Sequence, residues 1–546
     1  MTGGDILVEC LKAQEVKAIF GMPGNQNVSI YDALYRRGEG IKHLVVRHEQ
    51  SATFMADGYA RVTGDVGVAL TVPGPGASNA STGIGEAYTD CIPVLLITGQ
   101  SDSRLANKDN SKLFHGLDQR KFFEPITKWF GRPNTVDEIP QVIEMAFTML
   151  RTERPGPVVI EIPNDVVTAE VVDGLCTVLK IPPKVSVPKK KGKSDDIKKA
   201  IEILRSSQLP IIFAGGGVIS SDASNELTAL AECLGIPVIT TRLGKGAIAE
   251  DNPLALSNIH GLAARRALGS ADAMLAIGCR FTQIDTGGWS IQMPQPLIQI
   301  DADESELGKE YPIATGIAGD IKTVLSQLLK ELKNSDTLKK NAWEPILQKI
   351  KDEIHQQPKL PILSELRKVL DRDTIVAVDV TSLGYRAFAE FEVYHPRSFL
   401  YPCIYVALGY AFPAALGAKV AYPDRQVVSV SGDGGFMMGS FELATAIKYG
   451  LNVVAIVVND DAFGAIRGQQ GKAYDGRYIA TDLCNPDFVK FAESFGAIGF
   501  RVDNLDDFSS IIAEALRAKQ PAVIEIPMTN KELIKWVPWL YPTPTR

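Results

Sequence analysis

A rhythm constrains this chain more than any single residue does. Short apolar runs recur, each bounded by Gly, Pro or charged residues and followed by a longer amphipathic stretch. A first series covers residues 17–20, 43–46, 66–71, 94–98 and 158–162. A second covers 211–214, 238–240, 274–277 and 297–300, and a third 375–378, 427–430, 453–458 and 522–526. Runs this short and this uniformly apolar suit strands buried on both faces of a parallel sheet. Parallel neighbours need a crossover of about a dozen residues or more, and the amphipathic stretches supply it as helices. The expected fold class is α/β, with three consecutive doubly wound parallel-sheet domains.

Two boundaries divide the series. Residues 180–194, KIPPKVSVPKKKGKS, have no apolar period and read as an exposed linker, its lysine run 189–191 solvated. The second boundary falls in the charged stretch 322–359. The expected domains are 1–170, 190–335 and 360–546. One internal echo links the outer two: RPGPVVIEIP at 154–163 and QPAVIEIP at 520–527. Both read as closing strands, which hints that the first and third units are related and could pair face to face.

Composition excludes several classes. At 45% hydrophobic and 22% charged, a chain of 546 residues has ample material for several cores and is not disordered. With 57 basic and 64 acidic residues the net charge is -7, which is no footprint of a nucleic-acid binder. The seven cysteines form no CxxC pair, so neither a disulfide framework nor a structural zinc site is expected, and a reducing compartment fits. The opening residues carry no basic-then-apolar signal, and no apolar stretch reaches about 18 residues. The expectation is a cytoplasmic protein with no membrane partner.

Three segments carry chemistry. In the third unit the run 427–430 leads into Ser431-Gly432-Asp433-Gly434-Gly435, a helix is expected over 436–450, and the next run leads into Asn459-Asp460-Asp461-Ala462-Phe463-Gly464. In a parallel sheet both turns emerge at the carboxyl edge, where ligands bind. Two carboxylates beside glycines suit Mg²⁺ bridging to a phosphate, and a helix N-terminus there would favour the anion. An Asp-Gly turn alone is common; the spacing is what points to a metal–diphosphate site. In the first unit, Val45-Val46-Arg47-His48-Glu49-Gln50-Ser51-Ala52 runs from strand to helix. Glu49 could simply offset the helix dipole. Ala52, Ala56, Gly58 and Ala60 nevertheless make a small-residue helix fit for close packing, and a glutamate in such a dry site could exchange protons. The third segment is the turn TVPGPGASN at 71–79, on the same sheet edge.

Together these segments resemble the thiamine-diphosphate-dependent decarboxylase and carboligase superfamily, above all its acetolactate synthase-like branch of catalytic large subunits. The resemblance covers essentially the whole chain, in the order pyrimidine-binding, central and diphosphate-binding domains. It implies thiamine diphosphate and Mg²⁺ as cofactors. Glu49 would hydrogen-bond the aminopyrimidine ring and move a proton there. Pro73, Gly74, Asn79, Val406, Leu408, Gly432, Gly434, Gly435, Phe463 and Gly464 would cradle the cofactor, with Leu408 propping its bent shape. Asp433, Asp460 and the Ala462 carbonyl would hold the metal. Asn25, His115 and Gln469 fall where relatives contact substrate. The implied reaction decarboxylates a small 2-oxoacid such as pyruvate and passes the remaining unit to an acceptor. A 2-oxoacid decarboxylase, 2-hydroxyacyl-CoA lyase or sulfoacetaldehyde acetyltransferase-like enzyme on the same scaffold is the alternative. The implied assembly is a homodimer or homotetramer with the active site between subunits.

The chain also departs from the family. Asp460 stands where the family usually has Asn, which leaves Asn459 as the other candidate ligand. Val406 replaces a glycine, Ile284 an arginine, and Gln469 a tryptophan. The central stretches Ala214–Gly217, Ile259–Gly261 and Gly278–Phe281 resemble flavin-binding turns, so FAD is an open candidate. A regulatory module that lost its chemistry is argued against by Glu49 and both acids.

Overall fold

A computed structural model describes residues 1–171, 180–333, 342–355 and 359–528. Eighteen strands within them build three six-stranded sheets, parallel throughout. The first contains β1 (Ala18–Gly21), β2 (Lys42–Val45), β3 (Gly67–Thr71), β4 (Val94–Gln100), β5 (Trp129–Gly131) and β6 (Val158–Pro163). The second contains β7 (Pro210–Ala214), β8 (Val238–Thr240), β9 (Ala255–Asn258), β10 (Ala273–Ile277), β11 (Leu297–Asp301) and β12 (Thr315–Ala318). The third contains β13 (Ile375–Val378), β14 (Phe399–Leu400), β15 (Val427–Gly432), β16 (Val454–Asn459), β17 (Ile498–Arg501) and β18 (Ala522–Pro527).

The strands missing from the sequence reading are β5, β9, β12, β14 and β17, five of the six sheet edges. An edge strand has one covered side, so part of its length is half-exposed and the uniform apolar signature is lost. Interior strands such as β3, β4, β7 and β10 are buried almost end to end.

The outer sheets share one topology: β2-β1-β3-β4-β6-β5 and β14-β13-β15-β16-β18-β17. The echoed sequence marks the same strand in each. Glu161 in β6 accepts from Arg132 (3.0 Å) and from Gln100 (3.1 Å) at the end of β4. Glu525 in β18 accepts from Arg501 (2.8 Å) and from Asn459 (2.9 Å) at the end of β16. Gln100 and Asn459 hold matching register positions, opposite Pro163 and Pro527. The central sheet runs β9-β8-β7-β10-β11-β12, the order of a dinucleotide-binding fold whose switch point lies between β7 and β10.

The outer domains share one hydrophobic core. Its centre is a crossing of helix Glu49–Thr63 with helix Ala411–Ala421. A Cβ on Gly58 would stand 2.2 Å from the Ala414 carbonyl oxygen, and one on Gly417 1.9 Å from that of Met55. Ala52, Ala56, Ala60, Ala414, Ala415 and Ala418 are buried along the two helices. The ring of Phe54 meets that of Tyr410 edge-on at 5.4 Å. The central domain is anchored to the third by a buried ion pair. Lys245 Nζ lies 2.8 Å from Glu250 and donates to the Phe388 carbonyl (3.0 Å), while Glu250 accepts from the Val393 N–H (2.8 Å).

One expectation is corrected here and one is extended. The helix expected over 436–450 is broken into a helix Asp433–Met437, a short turn Ser440–Glu442 and a helix Leu443–Tyr449. The break falls at Gly439, which packs against the Pro413 ring. The linker 180–194 is extended but tied down: Gln14 donates to the Pro183 carbonyl (2.8 Å) and Gln327 accepts from the Gly192 N–H (2.9 Å). Residues 334–335 and 529–546, which fall within the expected domains, and Cys176 lie outside the described residues.

Gly417→Val forces a side chain against the Met55 carbonyl. Overpacking of this kind should cost about 1–3 kcal/mol and lower the melting temperature by several degrees. A calorimetric scan that superimposes on the parent's would show that the two helices separate at little cost.

Candidate active site

The topology brings two sets of residues to carboxyl edges of the outer sheets. In the third domain a cavity of about 150 Å³ opens beside β15 and β16. Gly432, Asp433, Gly434 and Gly435 line one wall, and Asp460, Ala462, Phe463 and Gly464 another. Leu408, about one-third exposed, closes a third side. Asp433 is 2% exposed, and burial raises its carboxyl above the usual range. Burial, then the neighbouring charge of Asp433, pushes Asp460 up to about 7. The two carboxyls are close enough to share a proton.

Asp460 and Asn459 have different partners. Asp460 lines the cavity, whereas the Asn459 amide donates to Glu525 and its carbonyl accepts from Asn485 (3.0 Å). Asn485 also donates to Asp433 (2.6 Å) and lies 3.0 Å from Asp461. The helix after Asp433 is five residues long, too short to supply much of a dipole. The donor set is two carboxylates and a backbone carbonyl. Among the described residues no group of three or more His, Cys, Asp or Glu side chains forms a metal cage. That set still fits Mg²⁺, which takes one or two protein carboxylates and leaves the rest to phosphate and water.

In the first domain Glu49 opens the helix Glu49–Thr63 and is 8% exposed. Helix capping falls to its neighbour: His48 Nδ1 accepts from the Gln50 N–H. Asn79 donates to Glu49 Oε2 (3.0 Å), and Oε1 lies over Gly76. The Pro73–Gly74 turn is buried, and Gly74, at φ 61°, backs onto the His115 carbonyl. His115 Nδ1 meets Gln26 Oε1 at 3.0 Å, beside the exposed Asn25. Glu49, Asn79, the 73–74 turn, Asn25 and His115 are thus assembled around one edge. Gln469 is exposed on helix Gly464–Ala473, and Val406 does not line the cavity. Among the described residues, none from the first domain lines the cavity beside Asp433.

Three positioning carboxylates were invisible in the sequence. Glu442 accepts from the Arg47 and His48 N–H groups (2.9 and 3.2 Å) and so fixes the approach to Glu49. Asp379, at the end of β13, accepts from the Gly409 and Ala411 N–H groups (3.2 and 3.0 Å). Glu86 accepts from the Ala407 N–H (3.1 Å). No local motif could have found them, because their partners lie far away in the chain.

A separate cavity of about 160 Å³ sits at the switch point of the central sheet. Gly216, Gly217 and Gly278 form its floor, with Arg154, Arg242 and Arg280 around it. Ile284 is half-buried nearby.

Two related sheets flanking a dinucleotide-type sheet, with paired acids at one edge and a buried glutamate at another, define a thiamine-dependent enzyme. Residues 1–122 match the thiamine pyrophosphate enzyme N-terminal TPP binding domain, 197–328 its central domain and 379–526 its C-terminal TPP binding domain. The chain belongs to the thiamine pyrophosphate enzyme family. It is 38% identical to a probable acetolactate synthase large subunit of Methanocaldococcus jannaschii, over 98% of this chain and 94% of that protein. It is 35% identical to the acetolactate synthase large subunit of Haemophilus influenzae (96% and 93% covered). It is 33% identical to the acetolactate synthase isozyme 3 large subunit of Escherichia coli (94% and 92% covered).

The raised Asp460 carboxyl sets a pH dependence in metal-free protein. The folded state holds this proton up to about 7, whereas an ordinary aspartate loses it near 3.8. The contribution is therefore full below 3.8 and is lost as pH rises through 7. With chelator present, the melting temperature of Asp460→Asn should gain on the parent's between about pH 5 and about pH 8. A difference that stays constant over that range would contradict the pairing.

Proposed function

We propose that this chain is the catalytic subunit of an acetolactate synthase. It takes a small 2-oxoacid such as pyruvate, releases CO₂ and joins the remaining two-carbon unit to an acceptor. The observation that carries this reading is the pairing of Asp433 with Asp460 beside a glycine turn in one domain, together with Glu49, buried and amide-supported, in the other. Thiamine diphosphate, when bound, supplies the carbon nucleophile and the electron sink that decarboxylation needs.

The chain's own residues do the rest. Asp433 and Asp460 offer carboxylate oxygens to Mg²⁺, with the Ala462 carbonyl as a backbone ligand. A cation there replaces the proton that the two acids otherwise share. Backbone N–H groups of the Gly432–Gly435 turn take the diphosphate. Leu408 would support the bound cofactor, and the Val406 carbonyl is the backbone acceptor that would meet its aminopyrimidine. Glu49 would meet the aminopyrimidine through Oε1, while Asn79 fixes Oε2. His115 and Asn25 would supply polar contacts to the charge that develops on the substrate.

The cavity beside Asp433 is lined without help from the first domain, so the Glu49 half would come from a second copy. Exposed apolar residues support such an interface: Phe114 in the first domain, and Ile466, Tyr478 and Ile479 beside the cavity. The functional unit is then at least a homodimer. The arginine-rimmed cavity of the central domain fits an anionic dinucleotide, and FAD is its proposed occupant. No helix among the described residues is long and apolar enough to cross a membrane, and their cysteines are free. The cytoplasm is the proposed compartment.

Purified protein given pyruvate, thiamine diphosphate and Mg²⁺ should form acetolactate and show a flavin absorption band. Free acetaldehyde as sole product would move the chain to the decarboxylases. Glu49→Gln should keep the cofactor bound and lose about 10²–10⁴-fold in turnover. Near-normal turnover would remove Glu49 from proton transfer. Asp433→Ala should abolish Mg²⁺-dependent cofactor retention, and parent-like titration would refute the metal site.

A further inference from the structure

The turn that carries Val406 and Leu408 is strained and needs holding. Val406 sits at φ 62°, a region that β-branched residues rarely enter. Buried carboxylates grip the turn on both sides. Asp90 accepts from the Cys403 and Ile404 N–H groups (2.9 and 3.2 Å), Glu86 from Ala407 (3.1 Å), and Asp379 from Gly409 and Ala411. Glu86 is the clamp next to the strained residue. The Tyr405 ring also lies against Gly85, one residue before it. Glu86 and Asp90 stand one turn apart on helix Pro75–Asp90, the helix from which Asn79 reaches Glu49.

The surroundings of Glu86 decide its charge. It is fully buried, and its Oε1 meets no hydrogen-bond partner among the described residues. Asp57 and Arg61 face it from helix Glu49–Thr63, Asp90 from its own helix, and Tyr410 from the end of the turn. Cys403, buried nearby, is held as a thiol. Three carboxyls therefore surround one guanidinium. Arg61 is already bonded to Asp57 (2.5 Å) and to Asp90 (2.8 Å). An ionised Glu86 would be a buried charge without a partner. Burial, then the charge of Asp90, pushes its carboxyl up to about 9.

We infer that Glu86 is a positioning residue: by accepting from the Ala407 N–H it clamps the strained Val406 turn in the shape that presents the Val406 carbonyl and Leu408 to the cofactor. The inference rests on the thiamine diphosphate site proposed above. It also accounts for a β-branched residue where the family has glycine, because the strain at Val406 is opposed by an acceptor on the next N–H.

The test is thiamine diphosphate affinity with Mg²⁺, read by quenching of intrinsic fluorescence in the full-length protein. Glu86→Gln keeps a neutral acceptor for Ala407 and should bind within about twofold of the parent. Glu86→Ala leaves that N–H buried and unpaired, and should bind about tenfold more weakly. Adding Val406→Gly removes the strained side chain and should recover most of the loss, a coupling that a general packing defect would not show. Parent-like binding by Glu86→Ala, additive losses in the double variant, or a Glu86→Gln as weak as Glu86→Ala would overturn the inference. Should Glu86→Ala fail to fold, Glu86→Met fills the same space without an acceptor and should also bind about tenfold more weakly, and parent-like binding by it would overturn the inference. Asp433→Ala separates the two failures. Parent-like binding there refutes the site and the inference together, whereas loss there beside a parent-like Glu86→Ala refutes the inference alone.

Discussion

The crossing of helices Glu49–Thr63 and Ala411–Ala421 is the constraint on which the rest of the molecule depends. Gly58 and Gly417 let two backbones touch where no side chain fits. That contact merges the outer domains into one core and fixes how their sheet edges are presented. Both ends of the chemistry hang from it. Glu49 is the first residue of one helix, and Leu408 lies three residues before the other. Because this contact lies within a single chain, it sets the two domains without closing Glu49 over the Asp433 cavity.

Buried carboxylates then hold the loops in place. Glu442 fixes the approach to Glu49, while Asp379, Asp90 and Glu86 fix the turn that carries Val406. Each acts as an acceptor for backbone N–H groups that would otherwise be buried unpaired. Burying so many acids is electrostatically unfavourable, and it shows as raised carboxyl pKa values at Glu86, Asp379 and Glu442. What they provide is rigid loop geometry at the edges where a cofactor must fit.

Much of this was legible in the sequence, within limits set by physics. Interior strands announced themselves because both faces are covered. Five of the six edge strands did not, because only one of their sides is covered. The echoed VIEIP strands were read as related, but the shared role of Glu161 and Glu525 needed the neighbouring strands in view. The sequence leaves Asn459 and Asp460 both open as ligands; only the fold shows that Asp460 lines the cavity while the Asn459 amide meets Glu525. The helix expected over 436–450 broke at Gly439, a residue whose reason is the Pro413 ring on another element. Glu86 and Glu442 were out of reach for the same cause: their partners lie 321 and 395 residues away.

On the proposed reading one chain carries both halves of an active site, and each half is completed by a second copy. Mixing two inactive variants tests that arrangement. One copy carries Glu49→Gln and the other Asp433→Ala, co-expressed so that hybrid dimers form. If the halves meet across the interface, each hybrid contains one site with an intact Glu49 and an intact Asp433, and acetolactate formation returns. If a single chain completes its own site, every site in the mixture lacks one of the two residues. The preparation then stays as inactive as either variant by itself, and the account is contradicted.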